Sequence, residues 1–170
     1  LALGYADYVL TEAGFGADLG FEKFMHIKAR FNGLEPSAAV LVASVRAVKY
    51  HGGIRPRELD APNEDAVHKG IENLEHLIGV IKSFGIPVVV ALNHFPADTP
   101  GETAIVKRSA EDAGAFAAVE SRVFAEGGAG GVDLAEALIE AVSGDQPKIH
   151  YAYEVEAPIL DKVDALARLV

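Results

Sequence analysis

Pro87-Val88-Val89-Val90-Ala91-Leu92-Asn93 is the stretch that decides the fold. It is apolar without alternation, opens on a proline and ends on a polar amide. Runs of this kind are typical of parallel strands covered on both faces. Ala38–Val45 (Ala-Ala-Val-Leu-Val-Ala-Ser-Val) is a second such run, bounded by Pro36 and Arg46. Between the two, Asn63 is placed to cap a long helix reaching about Phe84. Val67, Ile71, Leu74, Ile78 and Ile81 form its apolar stripe, and Gly85 closes it. Strand, helix and strand in this order predict parallel pairing through a crossover.

The same alternation continues outward in both directions. Downstream, a helix is expected from Pro100 to about Ala113, with the proline allowed in its first turn. A weaker strand is expected at Phe116–Val123, a helix at Val132–Val142, a short strand at His150–Tyr153 and a helix at Pro158–Leu169. Upstream, Tyr5–Thr11 reads as a strand. Leu19–Asn32 reads as a helix with Phe24, Ile27 and Phe31 on one face and Gly33 past its end. The predicted fold is α/β, a three-layer, doubly wound, mostly parallel sheet in a single domain over residues 1–170. Ligands of such sheets bind at the carboxyl ends of the strands. The loops 12–20, 46–57, 93–99 and 124–131 are therefore expected along one edge.

Composition narrows the function classes. A net charge of −10 argues against nucleic acid or an anionic membrane as partner. Without cysteine, neither disulfides nor thiolate chemistry enter. The apolar runs are too short to span a bilayer, and no leader-like segment opens the chain, so a cytoplasmic location is expected. The chain starts at Leu1 and stops inside the helical pattern at Arg168-Leu169-Val170. An internal piece of a longer protein is expected.

Each loop carries a chemical possibility and a plainer one. In Thr11–Gly20, Gly14, Gly16 and Gly20 separate a strand from a helix, which suits close approach of backbone N–H groups to an anion at a helix start. The plainer reading is a glycine-rich connection with Phe15 tucked away. Arg46, Lys49 and His51, beside Gly52-Gly53, are candidate anion ligands, whereas Arg55 and Arg57 read as solvated surface. Asn93 ends a buried strand with an amide that can both donate and accept, as reading a purine edge requires. His94 is either a general base or, more simply, a hydrogen-bonded structural residue. Phe95, forced into a turn by Pro96, and Phe124, beside four glycines in five positions, could sandwich a planar heterocycle or be ordinary core residues. Asp98 and Thr99 are expected to cap the following helix. No HExxH, CxxC or two-His-one-carboxylate spacing suggests a metal. GxSxG and GxxxxGK[ST] are both missing, and Leu19 spoils a GxGxxG match.

Several long stretches, in order, resemble the formate–tetrahydrofolate ligase family. They are Ala6–Gly20 (ADYVLTEAGFGADLG), Glu22-Lys23-Phe24, Val42–Gly53 (VASVRAVKYHGG), Gly85–Thr99 (GIPVVVALNHFPADT) and Phe124–Gly128 (FAEGG). The resemblance covers essentially all 170 residues. It implies a segment of a larger P-loop-type ligase that joins formate to tetrahydrofolate with ATP, through formyl phosphate. ATP, with Mg2+, and tetrahydrofolate would be substrates rather than resident cofactors. It implies that Gly14, Phe15, Gly16 and Gly20 line the active site near the phosphate and formyl groups. Phe95 and Phe124 would form the faces of a pterin slot, and Asn93 would read the adenine. Position 124 is often Trp in the family. His26 stands for the usual Asp, and Ala29 for a common Cys. The P-loop Lys and the Arg expected to hold formyl phosphate would precede Leu1, so the isolated chain is expected not to turn over. The full-length protein is expected to be a homo-oligomer. A non-catalytic folate- or nucleotide-binding module is the alternative.

Overall fold

A computed structural model describes all 170 residues. Three parallel strands, β1 (Ala39–Ala43), β2 (Val88–Asn93) and β3 (Ala117–Ser121), lie in the order β1-β2-β3. Val40 pairs with Val89, and Val90 with Ala118. The connections are helical. Ser44 starts α1 (Val45–His51), its Oγ accepting from Ala47 N–H at 3.2 Å. Asn63 caps α2 (Glu64–Ser83) through Ala66 N–H at 2.9 Å, and Gly85 ends it at φ +83°. Thr99 caps α3 (Pro100–Asp112). After β3 come a short α4 (Val123–Glu126), α5 (Val132–Val142) and α6 (Ile159–Leu169).

The alternation of side chains along β2 separates the two faces of the sheet. Val88, Val90 and Leu92 join a core with Leu41, Val45, Val67, Ile71, Ile78 and Val106, under α1, α2 and α3. Val89 and Ala91 point the other way and are equally buried, on the face where α5 packs against β2 and β3. The result is helix, sheet, helix, as the unalternating sequence run implies. Burying each large side chain of β2 stabilises the fold by about 1.5–3 kcal/mol relative to leaving it exposed. β1 departs from the expectation of two covered faces. It is an edge strand, and Val42, on the α5 face, is 63% exposed.

Three expectations for local structure do not hold. Tyr5–Thr11 forms no strand; it is unpaired and exposed along its whole length. A β-favouring pattern needs a partner edge, and β1 takes no neighbour but β2. His150–Tyr153 is likewise no strand. His150 N–H donates to Phe84 O and Ala152 N–H to His26, so the segment is tied to helices rather than to the sheet. Residues 45–51 form helix α1 where a loop over 46–57 was expected, because Ser44 supplies a cap at the end of β1. The helix expected over 19–32 is present in an unusual form. It runs as two π-helical stretches, Ala17–Phe21 and Phe24–Ala29, before Gly33 at φ +60°. Its later turns bury Phe24, Met25 and Ala29 with Phe84, at the amino edge of β2.

Candidate functional site

The carboxyl rim of the sheet is held together by one buried carboxylate. Glu102, fully buried on α3, accepts from Lys49 Nζ at 2.9 Å and Asn63 N–H at 2.8 Å through Oε1. Its Oε2 accepts from Thr99 N–H at 3.1 Å and the Thr99 hydroxyl at 2.9 Å. Thr99 Oγ1 in turn accepts from Glu102 N–H, completing a capping box. Burial pushes the Glu102 carboxyl up. The hydrogen bonds from Asn63, Lys49 and Thr99 outweigh burial and hold it down to about 2. Lys49 spends a second proton on Ala61 O at 3.1 Å. One ion pair thus fixes α1, the approach to α2 and the turn after β2 relative to one another.

This overturns Lys49 as an anion ligand, because its ammonium is sealed from solvent and already paired. Nor is Arg46 free. It pairs with Asp60, and its guanidinium carbon lies over the Phe95 ring, 5.5 Å from the centroid. His51 is exposed at the end of α1, its ring 6.1 Å from that of Tyr50. The three residues therefore do not converge on one site. Arg55 and Arg57 are exposed, as expected.

The turn after β2 is built tightly. Asn93, exposed, ends the strand opposite Ser121. His94 N–H donates to Ser121 O at 3.0 Å, and Phe95 N–H to Asp98 Oδ2 at 2.9 Å. Of the two expected caps, Thr99 caps α3, while Asp98 closes the preceding turn. His94 Nδ1 lies 3.7 Å from Glu120, which also accepts from Arg122 at 2.9 Å. The His94 ring itself makes no hydrogen bond; its backbone N–H does.

Neither Phe95 nor Phe124 belongs to the hydrophobic core. Phe95 is 39% exposed and Phe124 fully exposed on α4, just beyond β3. Both follow strand ends on the same rim. Phe15 is 92% exposed and holds φ +53°, in the left-handed region that only glycine enters without strain. It is not tucked away. Gly20 explains part of this loop. A Cβ there would overlap the Gly14 carbonyl, so the chain can fold back onto the helix start only with glycine. Gly16 caps that start, its carbonyl accepting from Gly20 N–H at 2.9 Å. Direct contacts join Arg46 to Phe95 and His94 to the end of β3, whereas the rings of Phe15 and Phe124 are exposed. Sequence reasoning missed Glu102 and Asp60. The Thr-Pro-Gly-Glu order at 99–102 was a readable capping-box signal for the first.

No helix is long and apolar enough to cross a membrane. Fold and rim together define a parallel α/β domain with exposed aromatic rings at the carboxyl edge of its sheet. Residues 1–170 match the family described as Formate--tetrahydrofolate ligase. The chain is 49% identical over 165 residues to the formate--tetrahydrofolate ligase of Methylorubrum extorquens strain PA1, covering 97% of this chain and 30% of that protein. It is 48% identical to that of Methylorubrum populi and 47% to that of Methylobacterium radiotolerans, with the same coverage. The chain belongs to the formate–tetrahydrofolate ligase family, and spans about 30% of the length of these relatives.

Proposed function

We propose that this chain forms the pterin- and nucleotide-facing rim of an ATP-dependent ligase that joins formate to tetrahydrofolate. A formate oxygen attacks the γ-phosphate of magnesium-bound ATP, ADP leaves, and formyl phosphate results. The folate nitrogen then attacks the formyl carbon, expelling phosphate and giving 10-formyltetrahydrofolate. Phe95 and Phe124 take the two faces of the pterin, while Asn93 meets the adenine with its exposed amide. Gly14, Phe15, Gly16 and Gly20 form the phosphate- and formyl-facing loop, where freedom from side chains lets the backbone approach. The Lys and Arg of the phosphoryl chemistry are assigned to parts of the protein preceding this segment. The whole enzyme works in the cytoplasm as a homo-oligomer.

The observation that carries this reading is the exposure of both phenylalanines at strand ends on one rim. Ligands of parallel sheets bind at that rim, where exposed rings are free to stack on a planar group. Titrating tetrahydrofolate into the chain and into Phe95→Ala and Phe124→Ala tests it. Each ring is expected to contribute about 1–3 kcal/mol, so each variant should bind at least several-fold more weakly. Unchanged affinity in both removes the slot. Formate-, ATP- and folate-dependent product formation by the chain itself is expected to be absent. Clear turnover would refute the assignment of the phosphoryl groups to another segment.

A further inference from the structure

We infer that Arg46 is a positioning residue for Phe95, fixing the ring so that one face is offered to a planar ligand. The inference rests on the reading of Phe95 as a stacking platform. The backbone around Phe95 is fixed by Phe95 N–H to Asp98, Asp98 N–H to Phe95 O at 2.9 Å, and His94 N–H to Ser121 O. None of these bonds restrains the side chain. The ring lies outside both hydrophobic clusters and is 39% exposed. One face of it is met by the Arg46 guanidinium, 5.5 Å from the ring centroid.

Arg46 is itself anchored. Its guanidinium pairs with Asp60, from the loop between α1 and α2. Its place on α1 is otherwise unfavourable, since it is the second residue of a helix whose first turn holds no acidic side chain. A cation there opposes the helix dipole. Asp60 and the Phe95 ring offset that cost. A guanidinium suits the task because it is flat, always charged and weakly hydrated, and so lies on an aromatic face while bonding a carboxylate at its edge. With one face of Phe95 covered, an incoming heterocycle meets an already oriented ring and loses less side-chain entropy on binding.

A double-mutant cycle tests this on the full chain by calorimetric titration with tetrahydrofolate. Arg46→Gln is expected to weaken binding about three- to tenfold, with an unchanged melting temperature. In the Phe95→Ala background the same substitution should have no further effect. An equal loss with and without Phe95 would overturn the inference, because Arg46 would then act on the ligand or the fold directly. So would unchanged binding in Arg46→Gln while Phe95→Ala binds more weakly. If Phe95→Ala binds as well as the parent, the stacking reading itself fails. The positioning is read separately by proton NMR. The Arg46 Nε–H resonance should shift on Phe95→Ala, and its failure to move would show that the ring and guanidinium do not meet in solution.

Discussion

Glu102 at the carboxyl rim and Glu22 at the amino edge are both buried carboxylates beside a basic side chain, yet their surroundings differ. Glu102 receives hydrogen bonds at both oxygens, and its Lys49 partner has a further acceptor in Ala61. Glu22 Oε2 lies 2.9 Å from Nδ1 of His26, but not in hydrogen-bonding alignment, and Oε1 has no partner. A buried charge is tolerable when its lone pairs are filled and costly when they are not. The first site is therefore a rigid hub under the turn that bears Phe95. The second is a weakly satisfied contact where the C-terminal segment docks.

The sharpest break in this contrast is Lys49→Met. It leaves Glu102 buried without its counter-charge, and is expected to cost about 3–5 kcal/mol by urea denaturation. A loss below about 1 kcal/mol would mean that the hub is not what holds α1 to α3. Acidity probes the same carboxylate. Its folded value of about 2 lies below its ordinary 4.5. The stability it contributes is therefore complete above that ordinary value, and is lost as pH falls from 4.5 towards 2. Denaturation midpoints from about pH 6 to about pH 2.5 should fall more steeply in the parent than in Glu102→Gln. Parallel curves would exclude Glu102 as the source.

Thr99→Ala is a smaller test of the hub. It removes the cap of α3 and one donor to Glu102, and should cost about 1 kcal/mol. Because Thr99 directly follows the turn that Asp98 closes around Phe95, folate affinity should fall with it. Full affinity alongside the stability loss would separate the turn from the ligand.

These same regions show what a reader of the sequence could and could not see. Apolar runs at 38–45 and 87–93 gave the sheet, and Asn63 and Gly85 the bounds of α2, because those signals are local. The exposure of Phe95 and Phe124 was not legible. An aromatic residue near glycine and proline reads alike whether it is buried or offered to a ligand. Lys49 was misread for a related reason. Positive charge in a glycine-rich stretch resembles an anion site until a glutamate 53 residues on fills it. Tyr5–Thr11 failed differently, since β-propensity says nothing about whether an edge is available to pair with.

Glu22→Gln is the smallest expected effect and the most direct test of the contrast. His26 Nε2 accepts from Ala152 N–H at 3.0 Å, and Nδ1 of the ring faces Glu22. Glutamine keeps the shape of the side chain, and neither carboxylate oxygen of Glu22 has a hydrogen-bond partner to lose. The substitution should change stability by less than about 1 kcal/mol, in either direction, where Glu102→Gln costs more. The Tyr153 ring stacked on His26 at 4.7 Å should stay in place, which Tyr153 ring-proton shifts can follow. A loss from Glu22→Gln as large as that from Glu102→Gln would make the two carboxylates equivalent. The amino edge would then be as tightly built as the rim that bears Phe95.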